Sequence, residues 1–69
     1  MILDEVVVPY AIEMTRIFKD HTRWDDEREE YATNLEGTSK LLDCLQTMPA
    51  QYRMRAMDLF EEMNKEMIR

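Results

Sequence analysis

The residues with the most evident chemical potential lie in the segment HTRWDDEREEY, residues 21–31. Five carboxylates occupy the six positions from Asp25 to Glu30, directly after Trp24. Carboxylates one helical turn apart could bind Mg²⁺ or Ca²⁺, and a pair of them could act as acid and base. They could instead attract a basic partner, or begin a helix, whose N-terminus favours negative charge. The elements that position these residues decide between these alternatives.

The local sequence favours a helix start. Thr22 is a good N-cap residue, and Asp25 follows three positions later, where the acid of a capping box would reach back to the cap. The acids at Asp26 and Glu27 would then lie in the first turn, near the positive end of the helix dipole. We therefore predict a helix from about residue 23, with its other acids on the surface.

The sequence offers few side chains suited to catalysis or metal binding. Cys44 is the only cysteine and His21 the only histidine, so the usual zinc ligand set cannot be assembled. The sequence has neither the ligand spacing of a calcium-binding loop nor a glycine-rich phosphate-binding loop. Cys44 follows Leu41 and Leu42 and precedes Leu45, which is typical of a core cysteine. We predict no enzyme activity, no metal site and no bound cofactor.

Helical spacing of apolar residues runs through the chain, which has 69 residues with one Gly and two Pro. We predict an all-α fold, a single domain over residues 1–69, built as a small bundle of helices over about 5–20, 23–46 and 49–68. A break at Gly37 would give a fourth helix, and a short strand over 5–8 is the alternative before Pro9. One stripe alternates in steps of four and three residues: Leu3, Val7, Tyr10, Met14, Ile17, His21 and Trp24.

The small size of the chain suggests support from a second copy. Chains of about this length bury only about 60% of their unfolded surface, and many need a disulfide, a metal or a partner subunit. A single cysteine excludes an intrachain disulfide. We therefore predict a symmetric homodimer.

The last helix carries two apolar faces. Five of the seven methionines lie in its segment, residues 48–69. One face suits the core of the bundle and contains Tyr52, Ala56, Leu59, Phe60, Met63 and Met67. Met54, Met57 and Ile68 fall on a different side. Because flexible methionine side chains suit adaptable interfaces, we predict that these three residues contact another protein.

The charge is acidic and uneven. The formal net charge is −6, of which residues 22–46 contribute −4, from seven acids and three bases. Nucleic-acid and anionic-membrane binding are therefore not expected. The N-terminus has acids at Asp4 and Glu5 where a signal peptide would be basic, and its apolar run stops at Glu13. With one free thiol, we expect a cytoplasmic protein.

These features predict a small acidic regulator or inhibitor that docks on a larger protein with a basic surface, of the kind that bacterial viruses direct against host proteins. The alternatives are a subunit of a larger assembly, an acidic DNA mimic, and a helix-turn-helix DNA-binding regulator. For the last, the segment ATNLEGTSKLLDCL has a residue pattern similar to that of helix-turn-helix motifs. However, Glu36 lengthens the turn by one residue before Gly37, and the second helix offers only Lys40 to DNA. The predicted protein-binding residues are Trp24, Asp25, Asp26, Glu29, Glu30, Tyr31, Met54, Met57 and Ile68.

Overall fold

Three helices and one β-hairpin make up the fold in a computed structural model that describes residues 3–68. The elements in chain order are α1 (Leu3–His21), β1 (Thr22–Asp25), β2 (Glu30–Thr33), α2 (Leu35–Thr47) and α3 (Ala50–Met63). The prediction of a mostly helical small globule is confirmed. The prediction of an all-α fold is wrong over residues 22–33, which form the hairpin.

Helix α1 is continuous through Pro9, so the alternative of a strand over 5–8 is wrong. Pro9 is exposed, and it lies opposite the buried side of the helix. The carbonyl of Glu5, which would accept a hydrogen bond from residue 9, therefore lies on the solvent side and can bind water. The buried residues follow helical spacing: Val7, Ala11, Met14 and Phe18.

The predicted helix from residue 23 begins only at residue 35, and the acidic run is a hairpin turn. The Asp25 side chain accepts hydrogen bonds from backbone N–H groups, as a capping acid would. Its donors are the N–H groups of Glu27 at 3.0 Å and Arg28 at 3.2 Å, and both lie in the turn. Short acidic side chains make such local bonds in turns as readily as at helix starts. The same chemistry that predicted a helix start therefore stabilises a turn.

Helix α2 is capped by Asn34, whose Oδ1 accepts a 2.7 Å hydrogen bond from the Gly37 backbone N–H. Gly37 lies in the first turn of this helix and is buried, so the alternative of a break at this residue is wrong. A Cβ atom at position 37 would overlap the Cβ of His21 and lie 3.0 Å from Cγ2 of Thr33. The glycine therefore permits the start of α2 to pack against the end of α1.

Helix α1 is the centre of the fold and packs against both α2 and α3. Helix α2 starts beside the end of α1, and α3 runs parallel to α1, because Arg55 contacts Asp4 and Asn64 contacts Thr15. Helix α3 ends at Met63, earlier than the predicted 68. The core cluster consists of Val7, Met14, Phe18, Met48, Ala56 and Phe60. Among residues 3–68, no helix combines the length and the apolar composition needed to cross a membrane.

Candidate protein-binding surfaces

Eight of the nine predicted contact residues fall on two separate surfaces, and Ile68 lies on neither. The first, called here the hairpin surface, consists of Trp24, Asp25, Asp26, Glu29, Glu30 and Tyr31. The second, called here the methionine groove, lies between the end of α2 and the outer side of α3. Its lining residues are Leu45, Ala50, Arg53, Met54, Met57, Asp58 and Glu61.

Trp24 and Tyr31 lie directly opposite each other on the two strands. Their ring centroids are 5.2 Å apart and the ring planes meet at 75°, an edge-to-face pair. Such a pair contributes about 0.5–1.5 kcal/mol beyond the area it buries. The rings share a face of the hairpin with the Thr22–Thr33 pair, whose hydroxyl oxygens are 2.7 Å apart. Trp24 is nevertheless 49% exposed and Tyr31 41% exposed, so the hairpin presents an ordered aromatic surface to solvent.

The turn at residues 26–29 presents charge next to these rings. Five carboxylates and two guanidinium groups lie in residues 22–33, which gives a net charge of −3. Arg28 offsets part of it, at 3.9 Å from Asp25 and 4.0 Å from Glu30. Glu29 has a φ of 53°, in the left-handed region that glycine and asparagine prefer. The turn is thus ordered by its own acids, and most of their charge remains exposed.

A small cavity of about 90 Å³ lies beside the aromatic pair, lined by Trp24, Glu30, Tyr31 and Met67. Met67 follows α3, in a turn held by a 2.9 Å bond from its N–H to the Asn64 carbonyl. The sequence placed Met67 among the core residues, and it does pack against the core. Its second role, as a wall of this cavity, has no sequence signal, because it depends on how the end of the chain folds back toward the hairpin.

The methionine groove has a volume of about 470 Å³. Met54 is 78% exposed, whereas Met57 is only partly exposed and packs against the core. The prediction that Ile68 shares their face is wrong, because α3 ends before it, and Ile68 packs partly against the core instead. Sequence reasoning missed Arg53, whose Nε donates a 3.0 Å bond to the Leu45 carbonyl at the end of α2. The short connection between the two helices was the available signal.

Cys44 and His21 are both partly buried. Burial raises the pKa of the Cys44 thiol, and the charge of Glu13 adds to the effect. His21 lies partly buried at the end of α1, with Nε2 3.6 Å from Oε2 of Glu36. Within the described residues, no three side chains of the His, Cys, Asp or Glu type come together in a way that could hold a metal ion.

The helix pair required by the helix-turn-helix alternative is not formed. Residues 30–33, just before Asn34, are strand β2, and α2 follows this strand directly. The first helix of such a motif is therefore missing over this part of the described chain. The residue pattern around Gly37 belongs instead to the start of α2, which packs against His21.

Comparisons with protein-family models, with curated protein sequences and with solved structures find no match for this chain.

Proposed function

We propose that this protein is a small non-enzymatic regulator or inhibitor, which binds a larger protein by docking the hairpin surface on a basic region of its target. The observation that carries the proposal is the Trp24–Tyr31 pair, ordered edge to face and about half exposed. The free Cys44 thiol suits a reducing compartment, and we propose the cytoplasm.

Aromatic residues of this kind contribute much of the binding energy in protein interfaces. Trp and Tyr are enriched among the residues whose truncation costs most, because they bury a large area and lose few rotamers on binding. In this hairpin the strand pairing holds both rings before any partner arrives. The cost of ordering them is therefore met in folding, which favours affinity.

The acidic residues around the rings favour association with a basic partner. Charges at the rim of an interface mainly increase the association rate and suppress partners of the wrong sign. Asp26, Glu29 and Glu30 are exposed, so their field extends into solvent. A target with Lys and Arg around an apolar depression would match both the charge and the aromatic rings.

We further propose that two copies associate through the methionine groove into a symmetric dimer. A two-fold axis perpendicular to α3 would set the two α3 helices antiparallel, with Met54 and Met57 of each copy filling the groove of the other. Arg53 and Glu61 lie at opposite ends of the groove, eight residues or about 12 Å apart along the helix. The two-fold axis would therefore bring each Arg53 near the Glu61 of the second copy.

The docking proposal is tested by capture of the target with matched variants. The wild-type protein, a Trp24→Ala/Tyr31→Ala variant and a Leu35→Ala control are immobilised, and bound proteins from the native cell are identified by mass spectrometry. Leu35 is 85% exposed and lies outside both surfaces, so the Leu35→Ala variant controls for nonspecific binding to exposed apolar side chains. We expect one dominant target that the wild type and the control retain and the aromatic variant loses.

Kinetics with that target test the role of the charge. The Glu29→Gln/Glu30→Gln variant should associate more slowly than the wild type, and its association rate should depend less on salt. Circular dichroism should show that each variant keeps its helical content. A target bound equally by the wild type and the Trp24→Ala/Tyr31→Ala variant would refute docking through the hairpin.

A further inference from the structure

The geometry points to an arginine side chain of the target as the group that the hairpin surface recognises. We infer that its guanidinium packs on the rings of Trp24 and Tyr31 and pairs with the Glu30 carboxylate at the small cavity beside them. This inference rests on the proposed function, since it specifies which residue of a basic target makes the central contact.

The shape of the aromatic pair supports a flat occupant. Because the two ring planes meet at 75°, the rings form a corner, and each contributes a wall to the cavity of about 90 Å³. Met67 adds a third apolar group to the lining, and Glu30 is the only charged residue among the residues that line the cavity. The space accommodates the end of one side chain and is too small for a drug-sized molecule.

The charge of the hairpin favours a cation over an apolar occupant. A Leu or Phe inserted there would leave the net charge of −3 on residues 22–33 without a counter-charge. A cation would pair with Glu30 and also attract the electron-rich ring faces. The present contact of Glu30 with Arg28 is long, at 4.0 Å, and both side chains are mostly exposed, so a target cation can replace it.

Between the two cationic side chains, the site favours arginine. The guanidinium is planar, stacks on aromatic rings and is more weakly hydrated than the ammonium of lysine. It also presents several N–H donors, so it can lie against a ring and still donate to a carboxylate. Lysine would have to keep its ammonium at Glu30 and leave the ring faces to its methylene groups.

The charges next to the cavity do not oppose a cation. Met67 also lines a neighbouring cavity, whose charged residues are Lys19, Glu62, Lys65 and Glu66. Two bases and two acids leave that cavity without net charge. The excess negative charge therefore lies on the hairpin, next to the aromatic corner.

Short peptides test the inference without the unknown target. The probes are Ac-Gly-Arg-Gly-Arg-Gly-NH₂ and its lysine and citrulline counterparts, the last of which keeps the shape of arginine without its charge. Trp24 is the only tryptophan, so its fluorescence and its indole N–H resonance report on the site alone. We expect saturable changes with the arginine peptide, weaker binding by about 2- to 5-fold with lysine, and no binding with citrulline.

Two variants and a control locate the contact. Trp24→Leu keeps an apolar side chain but removes the ring, and its binding is followed through the backbone amide resonance of Tyr31. Glu30→Gln removes the charge and is followed through Trp24. Each variant should bind the arginine peptide about 2- to 5-fold more weakly than the wild type. Asp43→Asn, on the outer side of α2, removes one exposed acid elsewhere and should have little effect. Equal affinity for the arginine and lysine peptides, or an unchanged Trp24 indole resonance on adding the arginine peptide, would overturn the inference.

The peptides also separate this inference from the proposed function. If target capture depends on Trp24 and Tyr31 while the arginine peptide leaves the indole resonance unchanged, docking stands and the arginine assignment is wrong. If the arginine peptide binds as expected but the Trp24→Ala/Tyr31→Ala variant still captures the target, the site binds guanidinium groups but is not the docking surface.

Discussion

The Arg55 guanidinium forms a bidentate ion pair with the Asp4 carboxylate, with Nε 2.7 Å from Oδ1 and Nη2 2.9 Å from Oδ2. The pair joins the first half of α3 to the first turn of α1. It lies at the opposite end of α1 from the hairpin, and with the Asn64–Thr15 bond it fixes α3 parallel to α1. Bidentate geometry of this kind is directional, so the pair also constrains the rotation of α3 about its own axis.

The pair makes folding sensitive to acid. The hydrogen bond from Arg55 holds the pKa of Asp4 below its ordinary value, and the charge of Arg55 acts in the same direction. A carboxyl group whose pKa is lower in the folded state contributes stability above its unfolded pKa, and loses it as pH falls through the folded pKa. Urea unfolding at pH 6 and pH 3 should therefore show a larger loss in the wild type than in Asp4→Asn.

Asp43→Asn is the control for this comparison, because Asp43 is exposed and forms no ion pair among the described residues. It should leave the difference between the two pH values as large as in the wild type. An Asp4→Asn variant with the same acid sensitivity as the wild type would show that the ion pair is fully screened by solvent.

Gly37 is predicted to resist replacement by alanine. In an exposed helix, Gly→Ala normally stabilises by about 1 kcal/mol, because alanine has the higher helix propensity. At this position the new Cβ would overlap the Cβ of His21, so α1 and α2 would have to move apart. We expect a net loss of about 1–3 kcal/mol, measured by urea unfolding. Ser39→Ala, exposed in the same helix, should be neutral or stabilising, and equal behaviour of the two variants would refute the close contact.

The helices could be predicted from the sequence because each buries a face whose residues recur at helical spacing. The hairpin could not, because its strands are four residues long and the turn lacks the Asn-Gly or Gly-Gly pairs that mark short hairpins. A signal was present in the β-forming residues at alternate positions, Thr22 and Trp24, then Tyr31 and Thr33. It was outweighed by acids that suit a helix start equally well.

The candidate surfaces were predicted in part. Trp24, Tyr31 and the acids do lie together, although a helix would have arranged them differently: an aromatic pair seven residues apart would share a helix face two turns apart, whereas strand pairing brings the rings into contact. Met54 and Met57 do line one groove. Two further lining residues were not predicted: Met67 comes from a distant part of the chain, and Leu45 comes from the end of the preceding helix. The positions of both depend on tertiary packing.

The turn should become more stable when Glu29 is replaced by glycine. Glu29 has a φ of 53°, where a side chain costs about 1 kcal/mol that glycine does not. We expect Glu29→Gly to stabilise the protein by about 0.5–1 kcal/mol in urea unfolding, with loss of one negative charge from the hairpin. Glu29→Gln, which removes the charge but keeps the Cβ, is the matched control and should not stabilise. Equal stabilisation by both would assign the effect to charge repulsion within the turn.

The methionine groove is predicted to mediate self-association. Light scattering of the wild type at high micromolar concentration should give twice the chain mass of 8.4 kDa. Met54→Glu should give the monomer with unchanged helicity, because a charge would be buried without a partner in the dimer, at a cost of several kcal/mol. Leu35→Glu places the same charge on an apolar residue that is 85% exposed and outside the groove, and should stay dimeric.

Charge reversal tests the antiparallel arrangement of this dimer. Arg53→Glu should weaken association, because two carboxylates would then face each other, and Arg53→Glu/Glu61→Arg should restore it by exchanging the partners. Arg53 also donates to the carbonyl groups of Leu45 and Gln46, so thermal unfolding of each variant must separate loss of fold from loss of assembly. A monomeric wild type would refute the dimer. A dimer that Leu35→Glu disrupts and Met54→Glu does not would place the interface on the outer face of α2, where Leu35 and Leu42 lie two helical turns apart.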